Sequence, residues 1–211
     1  METRDSFTRL QGLFAAVIVA AATCSILDAQ EAAPPAGTNL IQNSSFEERS
    51  GDPKDGEPWG KGFLDGVARS PFAHWGYSGF WDGGDYDIKL GQGRTGKLCA
   101  RLVCREKGRG GISTDAIRVP AGTRLQFRGW FKAIGASRGT CRVNFEGEPG
   151  DGWASIPLPS KSGYDWTEVT GTVTVPTPKK MSGDKVEIYV FVYIQTYGEL
   201  WVDDVSLAPA E

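Results

Sequence analysis

Residues 185–196 read KVEIYVFVYIQT. Aliphatic side chains occupy every second position: Val186, Ile188, Val190, Val192 and Ile194. The positions between them carry Glu187, Tyr189, Phe191, Tyr193 and Gln195. Successive side chains of a strand point to opposite faces, so a period of two assigns the first set to a core and the second to an outer surface. The β-branched and aromatic content of the run supports the same assignment.

The same period recurs on both sides of this segment. Residues 97–104 (KLCARLVC) place Leu98, Ala100, Leu102 and Cys104 on one face. Residues 124–133 (RLQFRGWFKA) turn Leu125, Phe127 and Phe131 inward, with Gln126, Arg128, Trp130 and Lys132 opposite. Residues 140–147 (TCRVNFEG) turn Cys141, Val143 and Phe145 inward and Arg142, Asn144 and Glu146 outward. Further strands are expected over 111–119, 166–175 and 200–207, separated by Gly, Pro, Asp and Ser clusters. No stretch shows a helical period. Many short strands with turn signals between them predict an all-β fold, a two-sheet antiparallel β-sandwich of the jelly-roll kind. Residues 51–96 are rich in glycine and aromatics and are read as long loops with one or two short strands.

The chain of 211 residues suits one domain. An apolar run from Leu13 to Ala22 follows Arg4 and Arg9 and is shorter than the roughly 20 residues a membrane span needs. It reads as a signal peptide, residues 1–29, cleaved after Ala29, with lipid attachment at Cys24 as the lesser alternative. The expected location is secreted, extracellular or periplasmic. A linker follows over 30–38, the domain over 39–207 and a tail over 208–211. The net charge of −3, with no basic block, argues against a nucleic-acid partner. A monomer is expected.

Export leaves Cys99, Cys104 and Cys141 in the mature chain. Parity turns Cys104 and Cys141 inward, which makes them the preferred disulfide in an oxidising compartment. Three small buried hydrophobes are the alternative. No CxxC occurs and His74 is the only histidine, so a zinc set is not expected.

Several blocks then resemble one family. Residues 39–47 (NLIQNSSFE) resemble the opening strand of secreted carbohydrate-binding modules of the family 4/9 and 22 type, and 96–102 (GKLCARL) their next strand. Residues 119–123 (VPAGT) with 127–133 (FRGWFKA), 165–176 (DWTEVTGTVTVP) and 200–207 (LWVDDVSL) resemble later strands, in family order. The resemblance implies a galactose-binding-like jelly roll. It also implies a structural calcium between the first and last strands, held by Glu47 and Asp203, with Asp204 as a substitute and the backbone carbonyl near Lys97.

Sugars present C–H faces and many hydroxyls, so their sites pair flat rings with hydrogen-bonding groups. The outward set has that mixture: Tyr189, Phe191, Tyr193 and Trp130 beside Arg128, Arg142, Asn144, Glu146 and Gln195. If the three strands share a sheet, these residues converge on one concave face that binds a poly- or oligosaccharide. Trp75, Tyr77 and Trp81 would line its edge, Trp153 is a further exposed candidate, and Trp166 is read as core. The alternative is that the 51–96 segment covers this face as a second small core.

Catalysis is the competing reading. Glycoside hydrolysis needs two carboxylates across one bond, and Glu146, Glu148, Asp151 and Glu187 are the available acids. A lyase would draw on Arg128, Arg142 and Tyr189. No G-x-S-x-G or phosphate loop occurs, and one histidine makes triad chemistry a poor match. A surface or adhesion module with a protein partner is the third reading.

Overall fold

The computed structural model describes residues 36–50, 70–80, 86–104, 109–135, 139–146, 152–177, 185–195 and 197–210. The expected signal peptide lies outside them, as does Trp81. Eleven strands and no helix are found among the described residues.

The strands are β1 (Trp75–Phe80), β2 (Tyr86–Gln92), β3 (Leu98–Cys104), β4 (Arg109–Thr114), β5 (Ile117–Pro120) and β6 (Arg124–Ile134). After them come β7 (Gly139–Phe145), β8 (Trp153–Ile156), β9 (Tyr164–Thr174), β10 (Lys185–Ile194) and β11 (Gly198–Pro209). They form two antiparallel sheets. The first runs β1-β4-β10-β7-β8, with β5 also paired to β10, and the second runs β2-β3-β11-β6-β9. All eleven are therefore arranged as the expected two-sheet β-sandwich.

The alternation in 185–196 is borne out. Val186, Ile188, Val190, Val192 and Ile194 are buried. They pack with Cys141, Val143 and Phe145 of β7 and with Leu125, Phe127 and Phe131 of β6 in one core. Burying each such side chain stabilises the fold by about 1.5–3 kcal/mol. Phe127 and Phe131 tilt against each other at 6.4 Å between ring centres. Trp166 departs from its expected place. It is half-buried, beside the register shift between β6 and β9 at Phe131/Ala133, and does not belong to the core.

Residues 39–47 do not form a strand element. They run beside β11, where Leu40 N–H donates to Leu207 O at 2.8 Å and Val205 N–H donates to Ser44 O at 2.8 Å. Asn43 and Phe46 take positive φ values of 47° and 60°. That turn drives Phe46 into the core against Phe72 and Trp75.

Cys99, Cys104 and Cys141 are buried and reduced. Cys104 and Cys141 do point inward, but from strands of opposite sheets. Stacked sheets stand roughly 10 Å apart, whereas a disulfide needs Cα atoms within about 7 Å. The preferred disulfide is therefore corrected to buried thiols, the alternative already weighed.

Candidate functional site

Strand pairing sorts the proposed sugar-contacting residues into two groups. Arg142, Asn144, Glu146, Tyr189, Phe191, Tyr193 and Gln195 lie on or just beyond β7 and β10, which are neighbours in the first sheet. Arg128 and Trp130 lie on β6, in the second sheet. The single converging face is corrected accordingly: a strand can be read locally, but its sheet is chosen by its partners.

On the first sheet, register sets Tyr189 opposite Asn144, Phe191 opposite Arg142 and Tyr193 opposite Thr140. Strand β8 extends this face, with Trp153 opposite Asn144 and Ser155 opposite Arg142. Trp153 is 58% exposed, while Tyr193 is only 6% exposed. The Arg142 guanidinium lies 5.4 Å from the Trp153 ring centre, 5.1 Å from Tyr193 and 5.8 Å from Phe191. Attraction of the cation to the ring quadrupoles gathers the three rings around one charge. Tyr189 meets Phe191 edge-on at 6.3 Å.

Polar groups frame the rings. Tyr189 OH donates to Glu146 Oε2 at 3.2 Å. Burial first, and the Glu146 charge second, raise the Tyr189 phenol above its ordinary value. Gln195 Nε2 donates to Thr140 Oγ1 at 3.3 Å. Glu187 is held by Arg118, with Nε to Oε1 at 2.8 Å. The buried Asn144 Oδ1 accepts no hydrogen bond among the described residues.

Strands β4 and β1 continue the sheet past Tyr193 and Phe191 with small residues. Gly111 stands opposite Tyr193 and Ser113 opposite Phe191. Gly76 and Ser78 follow at the matching positions of β1. A Cβ on Gly111 would stand 2.2 Å from Val192 O, so glycine is required there. The aromatic residues of β10 are thus followed across the sheet by glycine and serine positions of β4 and β1. Sequence reasoning missed those positions of β1 because 51–96 was read chiefly as loop; the alternation of Gly76 and Ser78 in WGYSGF was the available signal.

Trp75 does not line the site. It is 3% exposed, packs on Phe46 at 4.7 Å, and its indole N–H donates to Asn43 O at 3.1 Å. Register opposite the buried Thr114 turns it inward.

The outer face of the second sheet is different in kind. Arg94 stacks on Trp130 at 3.6 Å. Trp201 is flanked by Arg101 at 5.1 Å and Lys132 at 5.7 Å, and its indole donates to Glu199 at 3.0 Å. Arg128 pairs with Glu168 at 3.2 Å. These rings are engaged by their own neighbours.

Glu47 and Asp203 meet the same turn, residues 93–97. Glu47 Oε1 accepts from Lys97 N at 2.7 Å and Leu98 N at 2.8 Å. Asp203 is fully buried; its Oδ2 accepts from Arg94 N and Thr95 N at 2.7 and 3.2 Å, and its Oδ1 from Asp204 N at 2.8 Å. Burial outweighs those donors and raises the carboxyl to about 6. Asp204 is taken up by Arg94 at 2.8 Å and by the Thr95 hydroxyl at 2.7 Å. Gly96 has φ 59°, and a Cβ there would stand 2.3 Å from Glu47 Oε1. Among the described residues no group of three or more His, Cys, Asp or Glu side chains is placed to hold a metal. Oxygen donors for a hard cation are nonetheless present in two carboxylates and the Lys97 carbonyl, which accepts from Gly93 N at 3.2 Å.

Comparison with solved structures places this architecture. The tandem CBM22-1–CBM22-2 domain of Paenibacillus barcinonensis aligns with a TM-score of 0.52 at 13% identity, over 85% of this chain and 47% of that one. The CBM22-1–GH10 modules of Clostridium thermocellum endo-1,4-β-D-xylanase 10B, solved with xylohexaose, align with a TM-score of 0.50 at 14% identity. That match covers 64% of this chain and 26% of the other. The chain has the fold of family 22 carbohydrate-binding modules. The bacteriophage CBA120 tailspike protein 4 enzymatically active domain also aligns, with a TM-score of 0.50 at 12% identity, over 81% of this chain and 21% of that one. The chain thus spans between a fifth and a half of these three proteins. No protein-family model and no curated protein matches it.

Proposed function

We propose that this protein is exported and binds a poly- or oligosaccharide on the outer face of β10, β7 and β8, without cleaving it. The observation that carries the reading is the Arg142 guanidinium set among Trp153, Phe191 and Tyr193, beside the glycine and serine positions of β4. Flat rings offer stacking surfaces to sugar C–H faces, and the exposed Glu146 carboxylate offers hydrogen bonds to hydroxyls. The exposed Trp153 at the sheet edge supplies the accessible ring. Export is supported by the apolar leader over 13–22.

The test is retention of the full-length chain on insoluble polysaccharides and a glycan array. A β-1,4-xylan is the first polymer to try, because a protein of the same fold was solved with xylohexaose. Selective retention that Trp153→Ala abolishes supports the reading. Retention of nothing by a folded chain overturns it and favours an adhesion role. Release of reducing ends during incubation favours a hydrolase, with Glu146 and Glu187 the acids to substitute first.

We also propose a stiffening calcium at the 93–97 turn, held by Glu47, Asp203 and the Lys97 carbonyl. Asp204, engaged by Arg94, is left out of that set. A melting temperature raised by calcium and lowered by chelator, with the response lost in Glu47→Gln, is expected. Equal melting in both buffers counts against the ion.

A further inference from the structure

A concavity lies apart from the aromatic residues of β10, between the N-terminal segment and the β4–β5 connection. It is a half-open depression of about 210 Å³. Leu40, Ile41 and Ile117 supply apolar walls, and Gln42, His74 and Asp115 supply polar groups.

The polar side is held by reciprocal bonds. His74 Nδ1 lies 3.1 Å from Asp115 Oδ2, and Asp115 N–H donates to His74 O at 3.0 Å. His74 Nε2 and Asp115 Oδ1 make no protein hydrogen bond among the described residues. The backbone here is unusual. His74 has φ 63° and Asn43 has φ 47°, a left-handed conformation that costs non-glycine residues energy. The Asn43 side chain offsets that cost by donating to Ala73 O at 2.9 Å and Glu48 O at 2.8 Å, while its own carbonyl oxygen accepts from Glu48 N at 2.9 Å. The wall carrying His74 is thereby fixed before any ligand arrives.

Size and chemistry narrow the occupant. The volume is below the roughly 300 Å³ at which pockets for drug-sized ligands begin, so it suits a single ring. The Asp115 carboxylate disfavours an anion. The amide, imidazole and carboxylate at this exposed rim favour a guest that itself carries hydroxyls over a purely apolar one. Vicinal hydroxyls donate to a carboxylate and accept from an amide N–H, while ring C–H groups lie on Leu40 and Ile117.

We propose that this depression binds one neutral polyhydroxylated ring, a free monosaccharide or the end unit of a glycan. It would be a second site for the ligand class assigned to the sheet face. The two sites share no residue, so either assignment can fail alone.

The test is a titration of the full-length chain with D-glucose, D-galactose, D-mannose, D-xylose and L-arabinose in turn, followed by two-dimensional amide NMR. At least one sugar is expected to shift the amides of residues 40–42, 74 and 114–117. Asp115→Asn and Gln42→Ala are each expected to weaken that binding about tenfold, the loss of one charge-assisted or neutral hydrogen bond. Both residues are exposed, so the fold survives, as an unchanged melting temperature would verify. Trp153→Ala is expected to leave these shifts in place. Absence of shifts with every sugar, shifts confined to β7, β8 and β10, or full affinity in both variants overturns the proposal.

Discussion

The Arg94 guanidinium carbon stands 3.6 Å from the centre of the Trp130 ring, and the same guanidinium reaches Asp204 at 2.8 Å. One side chain thus ties the β2–β3 turn to the outer face of β6 and to the bulge in β11. Trp130 is consequently a structural residue. Trp130→Ala is expected to leave polysaccharide retention unchanged while lowering stability by about 1–3 kcal/mol, through lost stacking and packing. Parallel pull-down and urea denaturation check this.

Trp153 is the converse case. It is 58% exposed on the short edge strand β8, so little packing depends on it. Trp153→Ala should weaken glycan retention by about 1–3 kcal/mol with a melting temperature close to wild type. Isothermal titration against a retained oligosaccharide, beside a thermal melt, measures both.

Asp203 accepts three backbone N–H groups while fully buried. Asp203→Ala would leave those donors unsatisfied. A loss of about 3 kcal/mol is expected, in the range for buried hydrogen bonds to a charged group. Chemical denaturation reads it directly. Asp204→Ala, at a partly exposed site bonded to Arg94 and Thr95, is expected to cost less.

The Tyr189 phenol is raised above its ordinary value, by burial first and then by Glu146. The raised value favours the neutral phenol in the folded chain. The stability it contributes is present below the unfolded-state value near 10 and is lost as pH rises through the folded value. Glu146→Gln removes the neighbouring charge and should bring the phenol part of the way down. Ultraviolet titration of tyrosinate formation, with Tyr189→Phe identifying the signal, tests the shift.

The three described cysteines are reduced and buried, and burial pushes the Cys99 thiol to about 12 and the Cys141 thiol higher still. A reducing agent should therefore leave the melting temperature unchanged. Thiol-reactive reagents should label Cys99 and Cys141 only after denaturant is added. Mass spectrometry of the labelled chain counts the modified sites.

What the sequence by itself determined was the facing of individual strands. The period of two in KVEIYVFVYIQT places Val190 inward and Phe191 outward whatever the partner strand, because side-chain alternation is a property of neighbouring residues. The same local rule placed Phe127 and Phe131 in the core and marked the turns between strands. Tertiary structure decided which outward faces meet. Arg128, Trp130 and Arg142 all read as outward, yet hydrogen-bond pairing joined β6 to β11 and β9, and β7 to β10 and β8. Trp75 and Trp153 are the same residue type on either side of that decision. One is drawn under Phe46 by the left-handed turn of residues 43–46, and the other is left at the rim by an edge strand. Pairing and burial depend on residues far apart in the chain, and no local period carries that information.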